Sequence, residues 1–381
     1  MKKKKFRKRF IIIIASIWAV IVALNLLAWN VPSFSDWYID HFTMLWVNTY
    51  SRLTGLFSFS VGEVMLIAGA GLVIGTVLLT IVMLFFVKRK NIRTFLRRWY
   101  KTIISIATAV CLIMTLNCTI LYHAAPLDAN GEAPARQYTL EELEILRNYI
   151  VEKCNEYSVK FTRDGDGYII EDGSKVGSLE EIKQQAKAAM NNISGDFPRL
   201  AGFYPDAKGI ANSVLLTQMN IAGYYFPFSL EANYNTYMYI LDYPQTICHE
   251  LSHLHGYIFE DEANFLSFKA CVESGDEFFE YSGYMSVMAY VYNAYAAYVT
   301  DWDEYAKLPQ LSELAAGDNI FLTEEKWTEV EQKKLFDTEK VGQASENFTD
   351  SVLKSSGVED GIISYSRVVG LLLQYYDGVL Y

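Results

Sequence analysis

Residues 64–87 read VMLIAGAGLVIGTVLLTIVMLFFV, a run of twenty-four residues without a charged side chain. Two similar runs lie on either side of it, FIIIIASIWAVIVALNLLAW at residues 10–29 and IISIATAVCLIMTLNCTILY at residues 103–122. Each run, as a helix, is long enough to cross a hydrocarbon core of about 30 Å. The sequence therefore predicts three membrane-spanning helices. A cleaved signal peptide is the alternative for the first run, but that run is long for one and no small-x-small cleavage site follows it before Pro32.

Lysine and arginine residues cluster at two places that flank these runs. Residues 1–9 contain seven of them, and residues 88–101 contain seven more. Because basic loops remain on the cytoplasmic side of a membrane, both segments are predicted to be cytoplasmic. Residues 30–63 and everything after residue 122 are then expected outside, in a multi-pass protein of the cell membrane whose direct partner is the lipid bilayer.

The chain after residue 122 is strongly acidic, with 18 Lys and Arg against 41 Asp and Glu. A body with this charge repels the phosphates of nucleic acids, which argues against nucleic acid as a partner. A hydrophobic fraction of 51% and a charged fraction of 20% exclude a disordered chain. The five cysteines, two of them within the third run, are not expected to form a disulfide framework.

Three sections are predicted from these patterns: a membrane anchor over residues 1–122, a polar linker with two prolines over residues 123–137, and a domain over residues 138–381. Apolar residues at helical spacing, and the capping pattern of Ser178 and Glu181, predict helices in the first part of the domain. Most of its later part also reads as helix. The predicted fold is mainly helical α+β, with three N-terminal transmembrane helices.

Three further segments complete the prediction. Residues 213–219 (SVLLTQM) and 221–235 (IAGYYFPFSLEANYN) read as strands. The second is either an exposed edge to which a peptide substrate adds its backbone, or an ordinary core strand broken at Pro227. Residues 41–57, which are apolar and aromatic, either lie along the membrane interface or pack against the later domain.

The sequence HELSH, from His249 to His253, matches the pattern H-E-x-x-H. Positions i and i+4 share one face of a helix, so both imidazoles can bind one metal ion. Glu250 then projects beside the metal, where a carboxylate can accept a proton from the attacking water. Two buried, hydrogen-bonded histidines are the alternative, but the chain has only five histidines, and Gly256 follows where the helix must end. His255 is expected to point away from the metal, as a helix C-terminal cation or a surface residue.

A catalytic zinc ion needs a third protein ligand and an open position, and two glutamates follow the motif. If a helix begins near Glu260, this residue shares a face of small, polar side chains, whereas Glu262 lies on a mixed, charged face. Asn264, one turn after Glu260, can hydrogen-bond a ligand imidazole. We therefore predict His249, His253 and Glu260 as zinc ligands, with Glu262 as the alternative third ligand.

The segments HELSH and EDEANFLSF (260–268) resemble the zinc peptidases called gluzincins, in which H-E-x-x-H is followed by a helix with E-x-x-x-D. Here Asn264 stands in place of the usual aspartate. Over nearly the whole chain, the three apolar runs together with FPFSLEAN (226–233), HELSHLHG (249–256), EDEANFLSF and YSRVVGLLLQYY (365–376) resemble the bacterial membrane family catalogued as domain of unknown function 3810. That resemblance implies a membrane zinc peptidase and leaves its substrate open.

These residues predict an extracytoplasmic zinc metallopeptidase domain of zincin-like type, in which Glu250 is the general base for hydrolysis of a peptide or protein substrate. One alternative is a non-catalytic binding or sensory protein with a structural zinc site, which would need a fourth ligand such as Cys248, Cys271 or His255. The other is an intramembrane protease, which would need the motif inside a span, whereas HELSH lies in the acidic domain.

The predicted orientation determines the outcome of cysteine labelling in intact cells. A reagent that cannot cross the membrane should modify a cysteine introduced at Asn130, in the linker, but not one introduced at Asn91, in the second basic segment. The expected difference arises because only the linker lies outside. Labelling at position 91, with a cytoplasmic protein left unlabelled as the control for membrane integrity, would contradict the orientation.

Overall fold

The computed structural model describes residues 2–86, 88–127, 136–170, 175–355 and 366–381, which are mainly helical with one small sheet. The helices of the N-terminal part are α1 (Lys2–Asn30), α2 (Pro32–Tyr38), α3 (Met44–Trp46), α4 (Arg52–Thr54), α5 (Val61–Leu84) and α6 (Lys90–Met114). The helices of the later part are α7 (Leu140–Ser158), α8 (Leu179–Asn192), α9 (Ser213–Gln218), α10 (Asp242–Leu254), α11 (Glu260–Val272), α12 (Glu277–Ala296), α13 (Trp302–Tyr305), α14 (Glu313–Asp318), α15 (Glu324–Lys333), α16 (Thr338–Ser355) and α17 (Ser366–Tyr375). The strands are β1 (Lys208–Gly209), β2 (Gly223–Phe226) and β3 (Glu231–Tyr234).

Three helical segments are long and apolar enough to cross a membrane: Lys8–Asn30, Val61–Leu84 and Lys90–His123. They confirm the three apolar helices predicted at the N-terminus, and we call them spans 1, 2 and 3. Residue 87, the last of the second predicted run, lies outside the described residues. Which side of the membrane the domain occupies stays a prediction.

Spans 1 and 3 lie side by side, and polar side chains join them near the ends that meet the later domain. Asn25 Nδ2 donates a hydrogen bond of 3.1 Å to Thr115 Oγ1, the kind of contact that holds helices together in lipid. The rings of Trp29 and His123 are 4.5 Å apart. Trp29 and His123 therefore lie at the same height along the two spans. Tryptophan is favoured at a membrane interface, so this height is consistent with one.

Residues 32–54 are helical throughout and include two π-helical turns, Ile39–Thr43 and Val47–Ser51. The side chain of Val47 is fully buried in the main core of the later domain, and Met44 and Trp46 pack against the same core. Of the two alternatives for this segment, the structure therefore shows packing against the domain.

The sheet has the strand order β1-β3-β2, with β1 parallel and β2 antiparallel to β3. In this order β2 forms one edge of the sheet. The register pairs Gly223 with Tyr234 and Phe226 with Glu231. Residues 221–235 thus contain two strands joined by a turn at Pro227. The ends of β2 differ in their surroundings, because one end meets the motif helix and the other meets the spans.

The strand predicted at residues 213–219 is wrong, because α9 occupies this segment. A short apolar run does not distinguish a helix from a buried strand by its period. Here the carboxylate of Glu63 accepts hydrogen bonds from the backbone N–H groups of Ala211 and Asn212, at 3.0 and 2.8 Å. The N–H groups just before α9 are therefore bound by Glu63, in the first turn of α5, and not by a neighbouring strand.

The carboxylate of Glu231, in β3, joins the sheet to span 2. It accepts hydrogen bonds from the backbone N–H groups of Val61 at 3.2 Å and Gly62 at 2.7 Å, in the first turn of α5. The buried ammonium group of Lys208 pairs with the same carboxylate, and Ser229 Oγ donates to it at 2.6 Å. A negative charge at a helix N-terminus is favourable, so Glu231 both caps α5 and neutralises Lys208.

The turn between β2 and β3 rests on the ends of the spans. Asn117 Nδ2, in span 3, donates a hydrogen bond of 2.8 Å to the carbonyl of Pro227. A Cβ atom on Gly62 would lie 2.6 Å from Cδ1 of Phe226, so the ring packs directly on the backbone of span 2. The sheet is thus fixed to two spans at once.

The motif helix α10 lies at the centre of the domain, between β3, α8, α11 and α12. Its apolar side chains Ile247, Leu251 and Leu254 are buried in the main core. The capping box predicted at Ser178 and Glu181 begins α8. All five cysteines are free, as expected. The domain boundaries stay a prediction, since most of the linker falls on residues 128–135, outside the described residues.

Removal of the Glu231 carboxylate tests the junction between sheet and span. Glu231→Ala leaves Lys208 buried without its anion, a change that typically costs about 3–5 kcal/mol of folding free energy. We expect the melting temperature of the full-length protein in detergent to fall by several degrees. Glu304→Ala removes an exposed ion pair with Lys307 and is the matched control, for which little change is expected. Equal melting temperatures for the two variants would contradict this role.

Candidate metal centre

The helix α10 presents His249 and His253 on one face, one turn apart. Its end is sharp: the N–H groups of His255 and Gly256 bond to the carbonyls of Ser252 and His253, and Gly256 has a φ of +96°. A left-handed residue at this place favours glycine and turns the chain back. This reversal brings Glu260, the first residue of α11, over the two histidines.

Three ligand atoms converge at this point. Nε2 of His249 lies 3.0 Å from Nε2 of His253 and 3.2 Å from one carboxylate oxygen of Glu260. Nε2 of His253 lies 3.7 Å from the other oxygen. In a tetrahedral zinc site with bonds of about 2.0–2.1 Å, ligand atoms are about 3.3–3.4 Å apart. The observed separations lie around that value, so the three side chains fit a zinc ion.

The histidine rings are oriented by contacts on their other side. Nδ1 of His253 lies 2.8 Å from the carbonyl of Tyr257, which can only accept, so Nδ1 carries the proton and Nε2 is left for a metal. Nδ1 of His249 is buried without a hydrogen bond among the described residues. Burial would lower the pKa of His249, but the hydrogen bond and charge of Glu260, followed by smaller effects of Glu250 and Asn264, raise it. A hydrogen bond from Asn264 that orients this ring stays a prediction.

The charge of the site is set by Glu260. Burial alone would raise the pKa of its carboxyl group, but the hydrogen bond with His249 and the charge of both imidazoles lower this pKa to about 2. Burial lowers the pKa of His253 to about 4. A deprotonated carboxylate beside a neutral imidazole is the state in which these groups bind a metal.

Glu262 is directed elsewhere. One oxygen of its buried carboxyl group accepts a hydrogen bond of 2.7 Å from the backbone N–H of Leu127, and burial raises its pKa to about 8. Asp261, between the two glutamates, pairs with Arg367 at 3.0 Å. The three consecutive acidic residues therefore have three different partners, and Glu260 is the one that meets His249.

Glu250 is buried beside the cluster, with one carboxylate oxygen that has no hydrogen-bond partner among the described residues. Burial raises the pKa of this carboxyl group to about 8. Its other oxygen lies against the backbone of Gly223, where an added Cβ would be 2.8 Å away. One oxygen of this buried carboxylate is therefore left without a structural partner among the described residues, which is uncommon in a folded protein.

A groove of about 570 Å³ opens onto the cluster. The edge strand β2 forms one wall, and α12 forms another. The groove is lined by Asn220, Ile221, Ala222, Gly223, Tyr224, Asp242, Gln245, Thr246, His249, Glu250, Glu260, Asn264, Met285, Ser286, Ala289, Tyr290, Asp318, Asn319, Ile320 and Phe321.

The free edge of β2 faces this region. The carbonyl of Ala222 accepts a hydrogen bond of 2.7 Å from the N–H of Asn235. Because hydrogen-bonded and non-bonded residues alternate along an antiparallel strand, Gly223 and Tyr225 direct their N–H and C=O groups away from β3. Of residues 221–235, β2 is therefore an edge strand next to Glu250 and β3 is a buried inner strand, and pairing of a peptide with the edge stays a prediction.

Tyr290 is a site residue that the sequence did not reveal. Its hydroxyl lies 3.4 Å from Asn264 Nδ2, and its pKa is raised to about 12, chiefly by burial and then by the charge of Glu260. With 27 tyrosines in the chain, no local pattern distinguishes Tyr290 from the others.

The candidates for a fourth ligand stay apart from the cluster, which in the part of the chain that the structure describes consists of His249, His253 and Glu260 alone. Cys248 Sγ lies 3.9 Å from the carbonyl of Ala186, and Cys271 is buried next to Cys248.

His255 points away from the cluster, as expected, but it is neither exposed nor a helix-terminal cation. The ring is buried and stacks on Tyr204 with centroids 4.0 Å apart. Its nitrogens lie 2.7 and 3.2 Å from the carbonyls of Arg199 and Phe203, and burial lowers its pKa. The expectation of a surface cation was wrong because the chain reversal at Gly256 carries this residue into the core.

Comparison with protein families gives one match, to the family described as "Protein of unknown function (DUF3810)", over residues 38–373. The match includes spans 2 and 3, the sheet and the whole cluster. No curated protein and no solved structure matches the chain.

The two glutamates can be separated by metal content. We expect Glu260→Gln in the full-length protein to lose most of its zinc after dialysis, because an amide is a much poorer zinc ligand than a carboxylate. Glu262→Gln is the matched control, since the amide oxygen can still accept the hydrogen bond from Leu127. Metal analysis of both purified variants decides between them, and full zinc in Glu260→Gln with depletion in Glu262→Gln would transfer the role to Glu262.

Proposed function

The chain belongs to the DUF3810 family, and we propose that it is a membrane-anchored zinc metallopeptidase. His249, His253 and Glu260 would hold the zinc ion, and Glu250 would be the general base. The substrate is a peptide or protein, and the positive-inside pattern of the basic segments puts the reaction on the extracytoplasmic side of the cell membrane.

The observation that carries this proposal is the position of Glu250. A structural metal site needs no free carboxylate, whereas hydrolysis needs a base that is close to the metal but not bound to it. Glu250 is next to the ligand His249 in sequence, is buried, and has an oxygen without a partner among the described residues. The three-ligand set, with no fourth ligand among those residues, also leaves an open position.

The residues of this chain divide the reaction between them. Zinc, when bound, supplies Lewis-acid activation of a water molecule and of the substrate carbonyl. Glu250 accepts the proton of the attacking water and delivers it to the leaving amine. Tyr290, which lines the groove together with Asn264, can donate a hydrogen bond to the oxyanion that develops on the carbonyl.

The edge of β2 can hold the substrate. The N–H and C=O groups of Gly223 and Tyr225 are directed outwards and can pair with an extended peptide backbone, as in strand addition. Gly223 lies directly against Glu250, so a peptide on this edge has its backbone close to the general base. Main-chain pairing of this kind positions a peptide bond without requiring a particular side chain.

The alternative, a binding or sensory protein with a structural zinc site, has less support. It requires a fourth protein ligand, and the cysteines and the histidine considered for this role have other surroundings. A buried oxygen of Glu250 without a hydrogen-bond partner among the described residues also has no use in such a site, because an unpaired buried polar group costs stability.

Glu250→Gln separates the two functions. In the full-length protein this variant should retain zinc and melt near the wild-type temperature. Cleavage of a diverse peptide pool should fall by about 100- to 10,000-fold, the typical worth of general-base catalysis. Glu313→Gln, at an exposed glutamate in the first turn of α14, is the matched control. Chelator-sensitive cleavage that persists at the wild-type rate in Glu250→Gln would overturn the mechanism.

A further inference from the structure

A second cavity, of about 210 Å³, connects the candidate metal centre to a membrane span. It shares Gly223, Tyr224, His249, Glu250 and Glu260 with the large groove. On its far side it is lined by Cys118 and Tyr122, which belong to span 3. One wall of the proposed active site is therefore built from a membrane helix.

The level of the membrane surface can be read from the ends of the apolar runs. The apolar run of span 1 ends at Trp29, and that of span 3 ends at Tyr122. The apolar run of span 2, which has the opposite direction, begins at Val64. The contact between Trp29 and His123 holds two of these ends at one height. Cys118 is one helical turn further into the bilayer than Tyr122, so the second cavity reaches the boundary of the hydrocarbon region.

The elements around the cluster also rest on this boundary. Ile258, two residues before Glu260, is buried in a small apolar cluster with Ala28 and Ile120 from spans 1 and 3. Tyr225, in the edge strand, packs against the same cluster. The loop just before Glu260, the proposed third ligand, therefore packs directly on the ends of the spans. The strand β2, next to the proposed general base, does the same.

The edge strand runs from the reaction centre to the bilayer. Gly223 touches Glu250, and Phe226 touches Gly62 at the start of span 2. Three residue steps of an extended strand cover about 10 Å. A peptide paired with this edge would therefore have one end at the membrane surface, about three or four residues from the bond beside Glu250.

We propose that the natural substrate is tethered in the same membrane, and that it is cut within a few residues of the bilayer surface. This inference rests on the proposed peptidase function and adds the location of the scissile bond. A tether in the bilayer leads the chain past the second cavity and along β2 into the groove. A soluble peptide gains no such guidance and must find the edge by three-dimensional diffusion.

Cleavage tests use the full-length protein in lipid vesicles. Peptides with a randomised eight-residue segment are fused to an apolar spanning helix, either directly or through a 20-residue proline-rich spacer, with the helix at either end. The stiff spacer holds the segment about 60 Å from the bilayer. Because both pools are membrane-bound at equal density, their comparison isolates distance from the surface. The third pool is the free segment.

We expect the directly fused pool to be cut at least tenfold faster than the spacer pool, at bonds three to five residues from the helix. Equal rates for the two fused pools, or faster cleavage of the free segment, would overturn the tethered substrate and leave the peptidase intact. The absence of chelator-sensitive, Glu250-dependent cleavage in all three pools would overturn the peptidase and this inference together.

A measurement without catalysis tests the depth of the site. A fluorophore attached to Phe228→Cys, in a Cys111→Ser background, reports the position of the β2–β3 turn. We expect strong quenching by lipids that carry a nitroxide near the headgroup, relative to vesicles without nitroxide. Unquenched fluorescence would put the turn away from the bilayer and overturn the inference, whatever the peptide pools show.

Discussion

The buried carboxylate of Glu231 is the contact on which the arrangement of this protein depends. It receives the first N–H groups of span 2, the ammonium group of Lys208 and the hydroxyl of Ser229. Its strand, β3, lies against the motif helix α10 on one side and carries the edge strand β2 on the other. One charged group therefore links the membrane anchor, the sheet and the candidate metal centre. Because Glu231 is buried, water does not stabilise its charge, and the carboxylate needs all its protein partners.

The sequence predicts the features that depend on local repetition. Uncharged runs show the spans, a four-residue spacing puts His249 and His253 on one face, and helix phase favours Glu260 over Glu262. Contacts between distant segments have no such pattern. The partner of Glu262 is the backbone of Leu127, the groove is completed by Tyr290 from another helix, and His255 is buried by a chain reversal. Residues 213–219 form a helix rather than the predicted strand, since the period of a short apolar run does not separate the two, and Glu63 binds the N–H groups just before this segment.

Three adjacent acidic residues have different partners and different pKa shifts, although each carries a carboxyl group. Glu260, Asp261 and Glu262 follow one another at the start of α11, yet one meets two imidazoles, one meets Arg367 and one meets a backbone N–H. The pKa of Glu260 is lowered and that of Glu262 is raised, because the imidazoles stabilise the first carboxylate while burial destabilises the second. An ionised carboxylate is the form that binds a metal, so these surroundings favour Glu260 over Glu262 as the proposed ligand.

The attachment of the sheet to the spans also has a consequence for how the protein is made. The spans emerge from the ribosome first and enter the membrane before the sheet is synthesised. The strand residues Phe226 and Glu231 then find their partners, Gly62 and the end of α5, already in place. The inserted helices thus act as a template for the later segments, and cutting the chain after span 3 would leave an apolar surface and an unpaired buried carboxylate. We therefore expect the domain to complete its folding only after the spans are in the membrane.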